Sequence, residues 1–231
     1  MPKLKDHILP CIKEVLCQEA SASGKDGNST QVGLSTIQGL HAGHESLLFK
    51  GDHMYRHHLA RFNYTTYDIR RAQDVINPGT AHHNIMLLTN NTEDNGDTTH
   101  PFLYACVLGI YHVNVIYTGG GSVDYIARKV EFLWVRWFEY DSNRSIEWGD
   151  LNLDPIRFLP MVDEQAFGFV DPKDVLRGCH ILPAFARGKA RIDGVGLSRL
   201  AHDAQDWSQY HINQCVQNYL PLNTPLGNIN I

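Results

Sequence analysis

Two long apolar segments joined by a glycine-rich turn constrain the fold of this 231-residue chain more than any other feature. Residues 102–117, FLYACVLGIYHVNVIY, and residues 128–141, RKVEFLWVRWFEYD, are rich in the β-branched and aromatic side chains that favour strands. Between them, TGGGSVDYIA supplies a turn. The pattern predicts a hairpin of two long strands.

The second strand of this hairpin is apolar on both faces. Because side chains alternate along a strand, one face carries Val130, Phe132, Trp134, Arg136 and Phe138. The other face carries Glu131, Leu133, Val135, Trp137 and Glu139. This arrangement indicates a central strand that is covered on both sides or rolled into a barrel. An arginine on this face must find a carboxylate, a carbonyl or an aromatic face, or reach solvent, and we expect Arg136 to pair with an acidic residue such as Asp171 or Asp174.

Composition and charge describe an ordinary globular chain with no general attraction for polyanions. Hydrophobic residues make up 43% and charged residues 19%, which is too apolar for a disordered chain. The formal net charge is -5. Affinity for nucleic acid would therefore have to come from a local basic patch.

The cysteines and the N-terminal residues exclude several other classes of protein. The chain has 5 cysteines, and they are scattered without a C-x-x-C pair, so neither a disulfide framework nor a zinc ribbon is indicated. The first residues carry mixed charges and no apolar core of a signal peptide, and no later stretch is apolar enough to span a membrane. We expect an intracellular protein, nuclear or cytoplasmic, that does not contact a membrane.

The N-terminal part differs in composition from the rest. Leu4, Ile8 and Ile12 follow helical spacing, with Pro10 set among them. Small polar residues and glycines then dominate residues 18–33, as in a flexible linker. We predict an N-terminal helix over 1–18, a linker over 19–46, a β-rich domain over 47–216 and a loose tail over 217–231.

Shorter elements complete the β-rich domain. We predict two strands separated at Lys50-Gly51-Asp52, the second over Leu59–Tyr67, and a short helical or irregular stretch over 70–83. NIMLL at 84–88 is a buried strand, Pro172–Leu176 contains a helical turn, and Trp207–Val216 is the last strand. The predicted fold class is α+β, mostly β, with a small, partly open β-barrel and a separate N-terminal helix.

Five phrases of the chain together resemble a known type of protein. In chain order they are NYTTYDIRRAQDVINPGT, HPFLYACVLGIYHVNVIY, VEFLWVRWFE, FGFVDPKDVLRGCHILPAF and DWSQYHIN. They resemble the C-terminal region of fungal transposon-associated proteins of the Plavaka and KDZ-like types. They are also similar to the C-terminal domain of unknown function of plant CACTA-type transposon proteins. The resemblance covers roughly Leu47 to Asn213.

The resemblance implies a function without chemistry of its own. In such proteins the nuclease domain lies upstream of the region matched here. We therefore expect a non-catalytic accessory or interaction module of a transposon-derived protein, without a cofactor, that binds DNA or a protein partner. By analogy of fold alone, the barrel is similar to the bromo-adjacent-homology (BAH) modules of chromatin proteins.

Basic residues in two parts of the chain are the candidates for contacting nucleic acid. If these parts were neighbours, their side chains could form a phosphate-contacting patch, with Tyr64 and Tyr67 available for stacking. Charge clusters are also common on solvated faces. The candidates are Arg56, Arg61, Arg70, Arg71, Arg187, Lys189 and Arg191.

The alternative is a metal-dependent nuclease or hydrolase. It would use clustered histidines and acidic loop residues, because imidazole and carboxylate groups are common metal ligands. The candidate site consists of His57, His82, His100 and Asp97. Solvated or singly hydrogen-bonded histidines explain the same residues without a metal.

Overall fold

The computed structural model describes most of the chain. It covers residues 2–23, 43–65, 71–89, 100–119, 125–141, 155–213 and 229–230, with backbone only for Thr65, Arg71 and residues 229–230. The predicted linker lies largely outside the described residues, as do most of residues 89–101, 141–155 and the predicted tail.

The described residues contain one α-helix, twelve strands and several short 3-10 helices. The helix, α1, spans Pro2–Ser23. The first six strands are β1 (Leu47–His57), β2 (Ala60–Thr65), β3 (Arg71–Ile76), β4 (Asn84–Leu88), β5 (Phe102–Tyr117) and β6 (Arg128–Tyr140). The last six are β7 (Pro155–Phe158), β8 (Phe167–Val170), β9 (Val175–Gly178), β10 (Ile181–Pro183), β11 (Tyr210–Ile212) and β12 (Ile229–Asn230).

The strands form two sheets. The larger has nine strands in the order β10-β11-β7-β6-β5-β4-β9, with β1 paired to β5 and β8 paired to β6. It curls strongly into a half-barrel. The smaller sheet has the order β12-β2-β3. The predicted fold class, α+β and mostly β with a partly open barrel, is confirmed, and so is the hairpin of β5 and β6.

The chain divides into two compact units. The first contains Met1–Arg56 and Tyr111–Phe132, and the second contains His57–Ile110 and Leu133–Ile231. In the first unit, the apolar stripe of α1 is buried at Leu4, Ile8 and Ile12. The helix passes through Pro10 and extends beyond the predicted end at residue 18, where Glu19 accepts hydrogen bonds from the buried guanidinium of Arg128. Within the described residues, no helix carries an apolar stretch long enough to cross a membrane.

In the second unit, the central strands carry core residues on both faces. Leu133 and Val135 of β6 are fully buried in a cluster with Ile85 of β4. Met86, the next residue of β4, belongs instead to a second cluster with Phe138. Alternate side chains therefore enter different clusters, which confirms that β6 is a central strand covered on both sides.

Two local predictions were wrong. Residues 71–76 form β3 and are not helical or irregular, because they pair antiparallel with β2 along its whole length and tertiary pairing overrides the mixed local pattern. The predicted break at Lys50-Gly51-Asp52 lies inside β1, where Gly51 and Asp52 have φ of 69° and 53°. These left-handed residues change the direction of the strand without ending it.

Candidate nucleic-acid interface

The segment after β10 is held by backbone hydrogen bonds to the residues before β11. A short 3-10 helix over Phe185–Arg187 ends at Gly188, whose φ of 75° and ψ of -179° belong to a region that only glycine enters readily. The Gly188 carbonyl then accepts a hydrogen bond from Ser208 N at 3.0 Å. The backbones of Lys189 and Trp207 form an isolated antiparallel β-bridge. Arg187 and Lys189 are therefore carried by a fixed backbone.

Cations and aromatic rings lie on this segment and on the residues paired with it. We name Phe185, Arg187, Lys189 and Trp207 the basic-aromatic surface. The Phe185 side chain is 69% exposed, and its ring lies edge-on to Trp207 with 4.8 Å between centroids. Lys189 Nζ lies 5.8 Å from the centre of the Trp207 ring. Arg187 and Lys189 are both exposed. One short segment thus carries an exposed ring and two cations that water can reach.

Arg191, the third predicted cation of the segment, has a structural partner. Its Nε lies 3.2 Å from Oδ2 of Asp203, which is 1% exposed. The same carboxylate accepts hydrogen bonds from Leu197 N at 2.7 Å and Ser198 N at 2.8 Å. Burial alone would raise the pKa of Asp203, but these donors and the Arg191 charge outweigh it and lower the pKa. Arg191 therefore helps hold the loop over residues 191–203.

Arg136 pairs with Asp206 rather than with Asp171 or Asp174. Its Nη1 lies 2.7 Å from Asp206 Oδ2, and its guanidinium lies 3.9 Å from the centre of the Phe158 ring. The prediction that Arg136 pairs with an acidic residue is confirmed, but both residues named as examples, Asp171 and Asp174, were wrong. Asp171 instead accepts a hydrogen bond from the backbone N–H of Lys173 at the start of a 3-10 helix, and Asp174 is exposed.

A cavity of about 330 Å³ lies over this ion pair. Arg136, Asp206 and Trp207 line it, so it adjoins the basic-aromatic surface through a shared residue. Burial raises the pKa of Asp206 more than the neighbouring Arg136 charge lowers it. Burying this ion pair therefore costs free energy, and the contact between the Arg136 guanidinium and the Phe158 ring offsets part of that cost.

The other predicted cations lie on different elements. Arg56 is on β1 in the first unit, and Arg61 is on β2 in the second. Arg71 begins β3, although its side chain lies outside the described residues, as does the whole of Arg70. Tyr67 is also outside them. Arg187, Lys189 and Arg191 are the predicted cations that share one short segment.

The residues of the predicted metal site have separate surroundings where they are described. His57 ends β1, the His82 ring lies 5.4 Å from that of His180, and His100 bonds the hydroxyl of Tyr140. Asp97 lies outside the described residues. Among the residues that are described, no group of three or more His, Cys, Asp or Glu side chains could hold a metal ion.

Sequence reasoning missed the aromatic half of the surface. Phe185 directly precedes the alternating basic residues in PAFARGKAR, and this closeness in sequence was an available signal. Trp207 could not be assigned in the same way, because its contact with Lys189 depends on pairing between distant parts of the chain. Comparison with protein-family models, with curated proteins and with solved structures finds no match.

Proposed function

We propose that the chain is a non-catalytic interaction module that binds nucleic acid through the basic-aromatic surface. The observation that carries the proposal is that Arg187, Lys189 and the Phe185 ring are all exposed on one short segment, with Lys189 and Phe185 both close to the Trp207 ring. The resemblance to transposon-associated proteins supports the same class of partner. In this reading the chain is an accessory part of a transposon-derived protein.

Single-stranded nucleic acid fits this surface best. Cations that water can reach attract phosphate groups, and an exposed aromatic ring can stack on a base once that base is out of a duplex. The net charge of -5 opposes a polyanion at long range. Binding must therefore be local and sensitive to salt.

A protein partner is the second candidate, favoured by the loop that follows the surface. Large apolar side chains are exposed there, including Ile192, which is 100% exposed. Exposed apolar groups in one short segment are typical of protein-interaction sites. The others in the loop are Val195, Leu197 and Leu200.

Fluorescence anisotropy with a labelled single-stranded oligonucleotide tests the proposal. The double variant Arg187→Ala/Lys189→Ala should weaken binding about tenfold at low salt, because it removes two phosphate contacts. Lys50→Ala, an exposed cation on β1 of the first unit, is the control and should bind like the wild type. An equal loss of affinity in the double variant and in Lys50→Ala would contradict a local binding site.

The same samples distinguish the enzymatic alternative. Incubating the oligonucleotide with the protein and Zn²⁺, Mn²⁺ or Mg²⁺ should leave it intact. Metal-dependent cleavage, accompanied by a higher melting temperature in the presence of that metal, would overturn the proposal.

A further inference from the structure

A second cavity, of about 540 Å³, lies within the second unit, apart from the basic-aromatic surface. It is lined by β3, the turn that follows it, the first residue of β4, and the residues at the junction of β9 and β10. Cavities of this size in proteins commonly hold small ligands. None of the residues of the basic-aromatic surface lines it.

The charged groups of this cavity neutralise each other. Arg177 Nε lies 3.4 Å from Asp74 Oδ2, and Nη2 of the same guanidinium donates to the Tyr64 hydroxyl at 2.7 Å. The Tyr64 ring also lies 4.0 Å from the guanidinium. Asp74 Oδ2 accepts a further hydrogen bond from Gly178 N at 3.0 Å. A phosphate or carboxylate ligand would have to displace one of these contacts, so the cavity favours an uncharged ligand.

One buried polar group of the lining lacks a partner. Asn84 is 7% exposed, and its Oδ1 accepts no hydrogen bond from any described residue. An unsatisfied buried acceptor is costly, and a ligand N–H at this position would remove the cost. The same amide group carries two N–H donors, so Asn84 can form a donor and acceptor pair with a complementary edge.

Two imidazole rings and several apolar side chains also line the cavity. His82 and His180 line the cavity, are exposed, and lie at 82° to each other. They offer faces on which a flat ligand can stack. Leu59, Val75 and Ile76 contribute apolar surface. Burial raises the pKa of Cys179, so its thiol adds no charge at neutral pH.

We propose that this cavity binds a nucleobase that carries an amino group beside a ring nitrogen, as adenine and cytosine do. Such a base is flat and uncharged, and its amino group can donate to Asn84 Oδ1 while its ring nitrogen accepts from the same amide. A sugar fits less well, because its many hydroxyl groups would each need a partner in a mostly apolar lining. The inference does not depend on the basic-aromatic surface.

Calorimetric titration of the full chain with adenosine and with cytidine tests the inference, with ribose as a control. At least one nucleoside should bind saturably, and ribose should not bind. Asn84→Leu should lower the affinity for the nucleoside at least about tenfold, since it removes both hydrogen bonds to the base. Its melting temperature should equal or exceed that of the wild type, because an unsatisfied polar group is replaced by an apolar one.

His180→Ala provides a variant at an exposed position, in case the Asn84→Leu chain does not fold. It should weaken nucleoside binding severalfold through lost stacking, whereas His53→Ala, exposed on β1 and outside the cavity, should not. Absence of nucleoside binding at millimolar concentration, equal binding of ribose, or nucleoside affinity unchanged by both Asn84→Leu and His180→Ala would overturn the inference. Oligonucleotide binding that depends on Arg187 and Lys189 would persist in that event, so the two proposals fail separately.

Discussion

Arg136 Nη1 lies 2.7 Å from Asp206 Oδ2, and the two side chains are 4% and 13% exposed. A buried ion pair adds little net stability, because removing both charges from water is costly. Removing one partner is different, since the remaining charge stays buried without compensation. The pair therefore makes residue 136 a sensitive position in the middle of the central strand.

Replacing Arg136 with methionine should destabilise the fold. We expect the free energy of unfolding to fall by about 3–5 kcal/mol, because Asp206 loses its counter-charge. The control is Arg157→Met, which breaks a more exposed pair with Glu139 and should cost less than about 1 kcal/mol. Urea denaturation of both variants checks the difference, and similar losses would show that burial of the Arg136 pair is unimportant.

The pH dependence of stability should separate the two aspartates near this pair. The pKa of Asp206 is raised above its ordinary value of 3.8 by burial, so the folded protein holds this proton more tightly than the unfolded chain. Its contribution makes stability fall as pH rises from 3.8 through the raised pKa. The pKa of Asp203 is lowered, so its contribution is lost as pH falls from 3.8 through the lowered pKa.

Urea midpoints measured across this pH range check both signs. Asp206→Asn should make the fall in stability above pH 3.8 shallower than in the wild type. Asp203→Asn should remove part of the loss of stability below pH 3.8. If the urea midpoints of both variants changed with pH as in the wild type, neither carboxyl group would titrate differently in the folded and unfolded states.

Gly168 should resist substitution because an indole ring lies against it. A Cβ atom at Gly168 would stand 2.6 Å from Nε1 of Trp137, whose side chain packs against the core. Gly168→Ala should therefore cost about 1–3 kcal/mol of unfolding free energy. Gly43→Ala, where a Cβ would meet nothing within 4 Å, should be close to neutral, and an equal cost at both glycines would contradict the packing argument.

The sequence predicted what depends on local pattern and missed what depends on distant pairing. The β5–β6 hairpin followed from the β-branched and aromatic residues of the two segments, and the burial of β6 followed from apolar residues on both of its faces. The partner of Arg136 did not, because nothing local distinguishes Asp206 from Asp171 or Asp174, and the choice is made by the pairing of residues 188–190 with 206–208. Strand β3 was missed for a related reason, since its pairing with β2 fixes an otherwise ambiguous stretch.

Phe185 should contribute to oligonucleotide binding without contributing much to stability. Phe185→Ala should reduce the binding free energy by about 1–3 kcal/mol through lost base stacking, with little change in melting temperature. Tyr125→Ala removes a similarly exposed aromatic ring from the first unit and should leave the affinity unchanged. Anisotropy titrations decide the matter, and equal effects of the two changes would count against stacking at Phe185.

The salt dependence of single-stranded oligonucleotide binding tests the central claim most directly. For the wild type, the logarithm of the association constant should fall linearly with the logarithm of salt concentration, by about 0.7 for each phosphate neutralised. The slope of the Arg187→Ala/Lys189→Ala variant should be shallower by about 1.4, since two phosphate contacts are lost. No affinity at low salt, or a slope that is the same in the wild type and the variant, would contradict the claim that this surface binds nucleic acid.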